Sequence, residues 1–117
     1  MHKRILVVDD EAEIRELLAD ILTTEGYDVV AVGSGEDAIL EANIGKFDIV
    51  LLDVRMPGID GIKAYWNIKK INPSTRAIIT TAFYNENEIM ACIHKGVDIY
   101  LPKPFEVTDL LALLKTL

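Results

Sequence analysis

Along the chain, short unbroken apolar runs alternate with stretches in which apolar residues return every three or four positions. The runs occupy 4–8 (RILVV), 27–32 (YDVVAV), 48–52 (DIVLL), 76–80 (RAIIT) and 97–101 (VDIYL). Such continuity of Val, Ile and Leu points to strands buried on both faces, as in parallel sheets. Between the runs, Ile14, Leu17, Leu18, Ile21 and Leu22 keep the i, i+3, i+4, i+7, i+8 spacing of an amphipathic helix, and Gly26 sits where its C-terminus wants a left-handed residue. Ser34, with Asp37 three residues on, predicts the N-cap of a second helix. Ala64, Tyr65, Ile68 and Ile71 mark a third, stopped by Asn72 and Pro73. Ile89, Cys92 and Ile93 mark a fourth, closed by Gly96; Val107, Leu110, Leu111 and Leu114 mark a fifth. Strict alternation of strand and helix implies right-handed crossovers, so the predicted fold class is α/β: a (βα)5 doubly wound five-stranded parallel sheet with helices on both faces.

That architecture says where chemistry belongs. In doubly wound sheets, ligands bind beyond the carboxyl ends of the strands, where strand order reverses. The polar residues at those ends are Asp9 and Asp10 after the first strand, Asp53 after the third, Thr80 and Thr81 after the fourth, and Lys103 after the fifth. Two adjacent aspartates repel each other, and the repulsion can be relieved by protonation, by a cation, or by helix N–H groups. A helix cap accounts for one aspartate, not two, and Asp53 adds a third acid. A hard divalent cation such as Mg2+ compensates all three, because it takes oxygen ligands and keeps several waters. One carboxylate could then act as a nucleophile toward phosphorus, with Lys103, the Thr81 hydroxyl and the Ala82 N–H meeting the phosphoryl oxygens. Taken singly, the same residues have plainer uses. Asp53 could form a turn before Pro57 and Gly58, Lys103 could be a solvated surface lysine, and threonine suits strands. Thr81 is preferred to Thr80 because strand alternation turns Thr80 toward the opposite face.

Length and charge narrow the picture further. A chain of 117 residues, half of them hydrophobic, makes one domain, 1–117, able to bury a core without staples. Twelve Lys and Arg against nineteen Asp and Glu leave a net charge of −7, which argues against direct nucleic-acid contact. The single cysteine, Cys92, makes no internal disulfide, no leader precedes the first run, and no run is long enough for a membrane, so the expected compartment is the cytoplasm. Gly33-Ser34-Gly35 lacks the third glycine of a dinucleotide loop and the GK[ST] ending of a P-loop. His2 and His94 have no partners at metal-ligand spacing. Trp66 falls opposite the apolar stripe of its helix; its ring either lies along Ile62 and the stems of Lys69 and Lys70 or marks a partner contact.

The motifs ILVVDDE, IVLLDVRMPGIDG, IITTA and YLPKPF together resemble the receiver domain of two-component response regulators, the chemotaxis-regulator-like, flavodoxin-like fold. The resemblance covers nearly the whole chain in order and spacing, and it implies the strand order 2-1-3-4-5. It further implies that Asp53 is the phosphoacceptor, receiving a phosphoryl group from the phosphohistidine of a sensor histidine kinase or phosphotransfer protein. Asp10 would be the direct Mg2+ ligand, Asp9 its neighbour acting through water, and the Arg55 carbonyl the backbone ligand. Thr81 matches the switch hydroxyl, Lys103 the phosphate-pairing lysine, and Tyr100 the aromatic that changes rotamer; Lys103-Pro104 resembles the family's cis peptide. The readout face would be the fourth helix, fifth strand and fifth helix, through which two copies could also pair. Such a domain is a phosphoryl acceptor with slow self-dephosphorylation, not an enzyme. Arg55 and Phe83 stand at positions that vary in the family and bear on phosphate lifetime; neither can orient a hydrolytic water, so a long-lived phosphorylated state is expected. Val97 stands where alanine is frequent. An output domain downstream is compatible with this reading. A phosphatase on a related scaffold would need Asp at position 11 if Asp9 attacked, where the chain has Glu11. An unphosphorylated receiver-like module would not need Asp10, Asp53, Thr81 and Lys103 together.

Overall fold

The computed structural model describes residues 3–53, 61–81 and 99–117, with backbone alone at 61, 62 and 81. Its strands are β1 (Arg4–Val8), β2 (Asp28–Val32), β3 (Ile49–Asp53), β4 (Arg76–Thr81) and β5 (Ile99–Pro102). They pair in parallel in the order β2-β1-β3-β4-β5, the order expected from the resemblance. The helices among the described residues are α1 (Ala12–Thr24), α2 (Gly35–Ile44), α3 (Gly61–Ile71) and α4 (Val107–Lys115). The helix expected on Ile89, Cys92 and Ile93 lies outside the described residues. The strand order reverses between β1 and β3, because the chain first moves from β1 to β2 on one side and then crosses to β3 on the other.

Burial on both faces explains why β1, β3 and β4 read as continuous apolar runs; β2 and β5, expected to be buried likewise, are only partly covered because they stand at the two edges of the sheet. Leu6, Val8, Val50, Leu52, Ala77 and Ile79 point to one layer, where Ala38 and Ala42 of α2 and Ala64, Tyr65 and Ile68 of α3 cover them. The alternate residues Ile5, Val7, Ile49, Leu51 and Ile78 point to the other, under Leu18 and Leu22 of α1 and Leu110 and Leu114 of α4. Small alanines on α2 and α3 let those helices approach the sheet closely.

The helix ends follow the local chemistry of the sequence. Gly26 adopts φ 97°, a conformation that costs other residues dearly, and this permits Gly26 N–H to reach Thr23 O (3.0 Å) and Tyr27 N–H to reach Leu22 O (3.1 Å). Ser34 Oγ accepts the Asp37 N–H (3.1 Å) and caps α2. Asn72 N–H makes the last helical bond of α3, to Ile68 O, and Pro73 cannot continue it.

Two further expectations change. Leu17, read as part of the buried stripe of α1, is 57% exposed: Leu18 and Leu22 are buried and Ile14 packs at the core's edge, while Leu17 lines a groove beside Phe105 and Val107. The fifth strand runs one residue further than the apolar run, through Pro102, which pairs with Thr81. Proline is tolerated there because β5 is an edge strand and its missing N–H has no ladder partner to lose.

Candidate functional site

β1 and β3 are neighbours in register, Val8 opposite Leu52, so the residues that follow, Asp9 and Asp53, come to equivalent places flanking the reversal point. β4 continues the row with Thr80 opposite Asp53. β5 ends at Pro102, and Lys103 follows at once, joined to Pro104 by a cis peptide bond. Residues far apart in the chain therefore share one crevice. Asp9, Asp10 and Asp53 each offer a carboxylate oxygen, and these lie within 4.8 Å of one another. Asp9 and Asp53 are buried and Asp10 is exposed.

Lys103 enters between the two buried acids. Its Nζ donates to Asp9 Oδ2 (2.7 Å) and Asp53 Oδ2 (3.2 Å), and its own side chain is only 11% exposed. Burial by itself would lower the ammonium's pKa, but the Asp9 hydrogen bond and the charges of Asp53 and Asp9 outweigh it and hold the pKa above the ordinary lysine value. Three carboxylates against one ammonium leave two formal negative charges in a partly desolvated pocket. A hard cation with oxygen ligands fits that donor set, and the exposed side at Asp10 leaves room for the waters such an ion retains.

Asp9 also performs the local role considered for it: Oδ1 accepts the Glu11 N–H (2.9 Å) at the approach to α1. Its second oxygen, committed to Lys103, has no explanation in turn chemistry. Thr81 closes β4 with its backbone opposite Pro102. Tyr100 lies in β5 opposite Ile79, half-buried against the α2 and α3 side of the core. Arg55, with Ala82, Phe83, Cys92, His94 and Val97, lies outside the described residues. The structure adds one contact that sequence reasoning missed, Arg15 Nη1 donating to Asp9 O at 2.8 Å. No local pattern marks it, since an arginine in the first turns of a helix is ordinary.

Beside the crevice, an open groove of about 370 Å3 runs between α1 and the segment leading into α4. Ile14, Leu17, Leu18, Phe105 and Val107 line it, and Lys103 borders it. Trp66 is 38% exposed on α3; its ring meets the Tyr65 ring edge-on, centroids 5.3 Å apart, so the stripe's own tyrosine supplies part of its cover. Among the described residues no helix is long and apolar enough to cross a membrane.

Compared with known proteins, the chain is similar to the transcriptional regulatory protein TcrA of Mycobacterium tuberculosis, 39% identical over 114 residues, which are 97% of this chain and 45% of that protein. It spans about half the length of such mycobacterial relatives. It is 36% identical to the chemotaxis protein CheY of Thermotoga maritima over 107 residues, covering 91% of this chain and 89% of that one. Among solved structures it resembles the response regulator protein TrrA of Thermotoga maritima in complex with Mg2+ and BeF, with 37% identity, a TM-score of 0.86 and 97% of each chain covered. The family described as the response regulator receiver domain matches residues 5–115, which takes in every strand and all but the edges of the chain. Because the stretches that set the sheet order and the acids crowded at its reversal point are matched together, the chain belongs to the family of response regulator receiver domains.

Proposed function

We propose that the domain is the phosphoacceptor of a two-component phosphorelay, acting in the cytoplasm: Asp53 takes a phosphoryl group from the phosphohistidine of a histidine kinase or phosphotransfer protein, and the gained charge shifts a two-state fold. Receiver domains are signalling domains rather than classical enzymes, interact with such kinases or phosphotransfer proteins, and bind Mg2+ at an acidic pocket. The observation that carries the reading here is the Lys103 ammonium between Asp9 Oδ2 and Asp53 Oδ2, a part-buried counter-charge standing beside the acid that would react.

In the transfer, an Asp53 oxygen forms the new P–O bond while the P–N bond of phosphohistidine breaks, and the imidazole leaves with that electron pair and takes up a proton. Asp9, Asp10 and Asp53, with the Arg55 carbonyl, would hold Mg2+, which supplies neutralisation of the charge on the moving phosphoryl group. The relative TrrA, captured with Mg2+ and BeF, supports a Mg2+ site in this chain. The product carries about −1.5 to −2 charge where a carboxylate had been. Lys103 keeps its ammonium for the phosphoryl oxygens, and the Thr81 hydroxyl donates to another. Withdrawal of Thr81 leaves space into which the Tyr100 ring turns, linking the site to a readout face made of the helix expected on Ile89, Cys92 and Ile93, β5 and α4, a face that also suits pairing of two copies. Asp53 is consumed in each event, so the domain is substrate rather than catalyst, and it recovers by slow self-dephosphorylation. The partner needs a place to dock within reach of Asp53; the apolar groove that borders Lys103 supports the α1 side for that contact. Residues 1–117 then act as the receiver unit of a regulator whose output is carried elsewhere, as the length of TcrA supports.

Intact-mass measurement after incubation with acetyl phosphate tests the reading. The parent gains one phosphoryl group with Mg2+ and none with EDTA, and Asp53→Asn gains none. Equal labelling of parent and Asp53→Asn would overturn Asp53 as the acceptor, and labelling indifferent to Mg2+ would overturn the metal site.

A further inference from the structure

Every polar group of Asp9 is tied down, and one tie is not explained by the role of the site. Asp9 N–H donates to Val32 O (3.2 Å) at the end of β2, Oδ1 accepts from Glu11 N–H, and Oδ2 accepts from Lys103. The fourth bond, Arg15 Nη1 to Asp9 O at 2.8 Å, comes from a side chain on α1. The carbonyl it holds belongs to the peptide unit that joins Asp9 to Asp10. That unit is rigid, so fixing its oxygen fixes the direction in which the chain enters Asp10, the exposed member of the acid cluster.

A second residue makes the contact sterically permissible. A Cβ placed on Gly33, immediately after β2, would stand 2.8 Å from Arg15 Nη1 and 3.4 Å from Cζ. Among the described glycines only Gly26 has positive φ, so the backbone at Gly33 does not itself demand glycine. What glycine provides at 33 is room for the guanidinium, pressed between the end of β2 and the end of β1.

We propose that Arg15, seated over Gly33, is a positioning residue for the acid pair: it locks the Asp9–Asp10 peptide so that the Asp10 carboxylate is presented to Mg2+ without first having to be ordered. The inference rests on the reading of the site as a Mg2+ site. Two influences of Arg15 on a cation run in opposite directions. Its positive charge near the pocket repels Mg2+, whereas its hold on the peptide preorganises a ligand; if positioning dominates, removing Arg15 weakens binding, and if the field dominates, removing it tightens binding.

Isothermal titration of the full chain with MgCl2 separates them, using the parent, Arg15→Ala, Arg15→Lys and Gly33→Ala, each also melted in EDTA. Arg15→Ala weakens Mg2+ binding about three- to tenfold, at or below the low end of the effect of outer-shell partners because it acts through the main chain. Gly33→Ala keeps every charge but denies the guanidinium its seat, and weakens binding in the same direction. Arg15→Lys, whose ammonium can reach the same carbonyl, recovers part of the loss. The Gly33 variant also serves if Arg15→Ala folds poorly. Tighter or unchanged binding in Arg15→Ala, or unchanged binding in Gly33→Ala, overturns the inference alone; a parent that binds no Mg2+ overturns the site reading and this inference with it.

Discussion

Replacing Lys103 by methionine isolates the electrostatics of the site, because methionine keeps most of the stem and removes the charge. In the parent the ammonium sits 2.7 Å from Asp9 Oδ2 and 3.2 Å from Asp53 Oδ2, and the two acid side chains are 3% and 6% exposed. Without it, two buried carboxylates whose oxygens lie within 4.8 Å lose their shared counter-charge, and at an effective dielectric of about 20 their mutual repulsion is about 3.5 kcal/mol. That figure matches the roughly 3–5 kcal/mol lost when a buried pair loses one partner. At about 4 °C per kcal/mol for a domain of this size, Lys103→Met in EDTA melts about 14 °C below the parent by calorimetry at neutral pH. At one common concentration Mg2+ then repairs the variant more than the parent, since it replaces the missing counter-charge; at 100 times the variant's Kd it restores about 2.7 kcal/mol. If the melts in EDTA agree to within about 2 °C, roughly half a kcal/mol, Lys103 is not the counter-charge of these acids and the reasoning fails. Equal stabilisation of both proteins by Mg2+ would refute its second half.

The same ion pair sets a pH dependence. Lys103 holds its proton above the ordinary lysine value, so its contribution is complete at and below that value and is lost as pH rises through the higher, folded one. The melting difference between parent and Lys103→Met, both in EDTA, therefore stays level from about pH 7 to 9 and shrinks only above about pH 10.4; fading within the lower window would contradict the assignment. Leu17→Asp, on the exposed lip of the groove, leaves acetyl phosphate labelling unchanged but slows transfer from a phosphorylated kinase or phosphotransfer protein at least about tenfold, the size of one lost apolar contact of about 1.5 kcal/mol. Equal slowing with both donors would place Leu17 in the site's own stability instead. Gly26→Ala forces alanine to φ 97° and lowers unfolding free energy by about 1 kcal/mol in urea titration. Ser34→Ala, which strips the α2 cap, costs about the same.

Local features of the fold were legible because their causes are local. A run such as Ile49–Leu52 is apolar at every position because both faces of β3 are covered, and burial on two faces leaves no alternation to read. Gly26 and Ser34 end and begin helices through bonds to residues three to five positions away, within reach of any reader of the chain. The acids were legible for a related reason: once strand alternates with helix, a residue just past an apolar run must lie at a carboxyl edge. The sheet order that joins those edges into one site came through resemblance, since periodicity alone leaves several orders open.

What the sequence by itself determined is thus the set of parts: five apolar strands, the helices that cover them, and which polar residues stand at the strand ends. The tertiary structure alone decided who meets whom. Lys103 lies 94 residues from Asp9 and 50 from Asp53, and its one ammonium bonds to both. Arg15 reaches a carbonyl because a glycine eighteen places later leaves it space, and Leu17 is exposed although its spacing matches its buried neighbours. Period and composition report each residue's preference for water or core, which its near neighbours decide. Contacts between remote residues are set instead by sheet order, register and the volumes that helices leave between them, and those follow only when the whole chain has closed around its core.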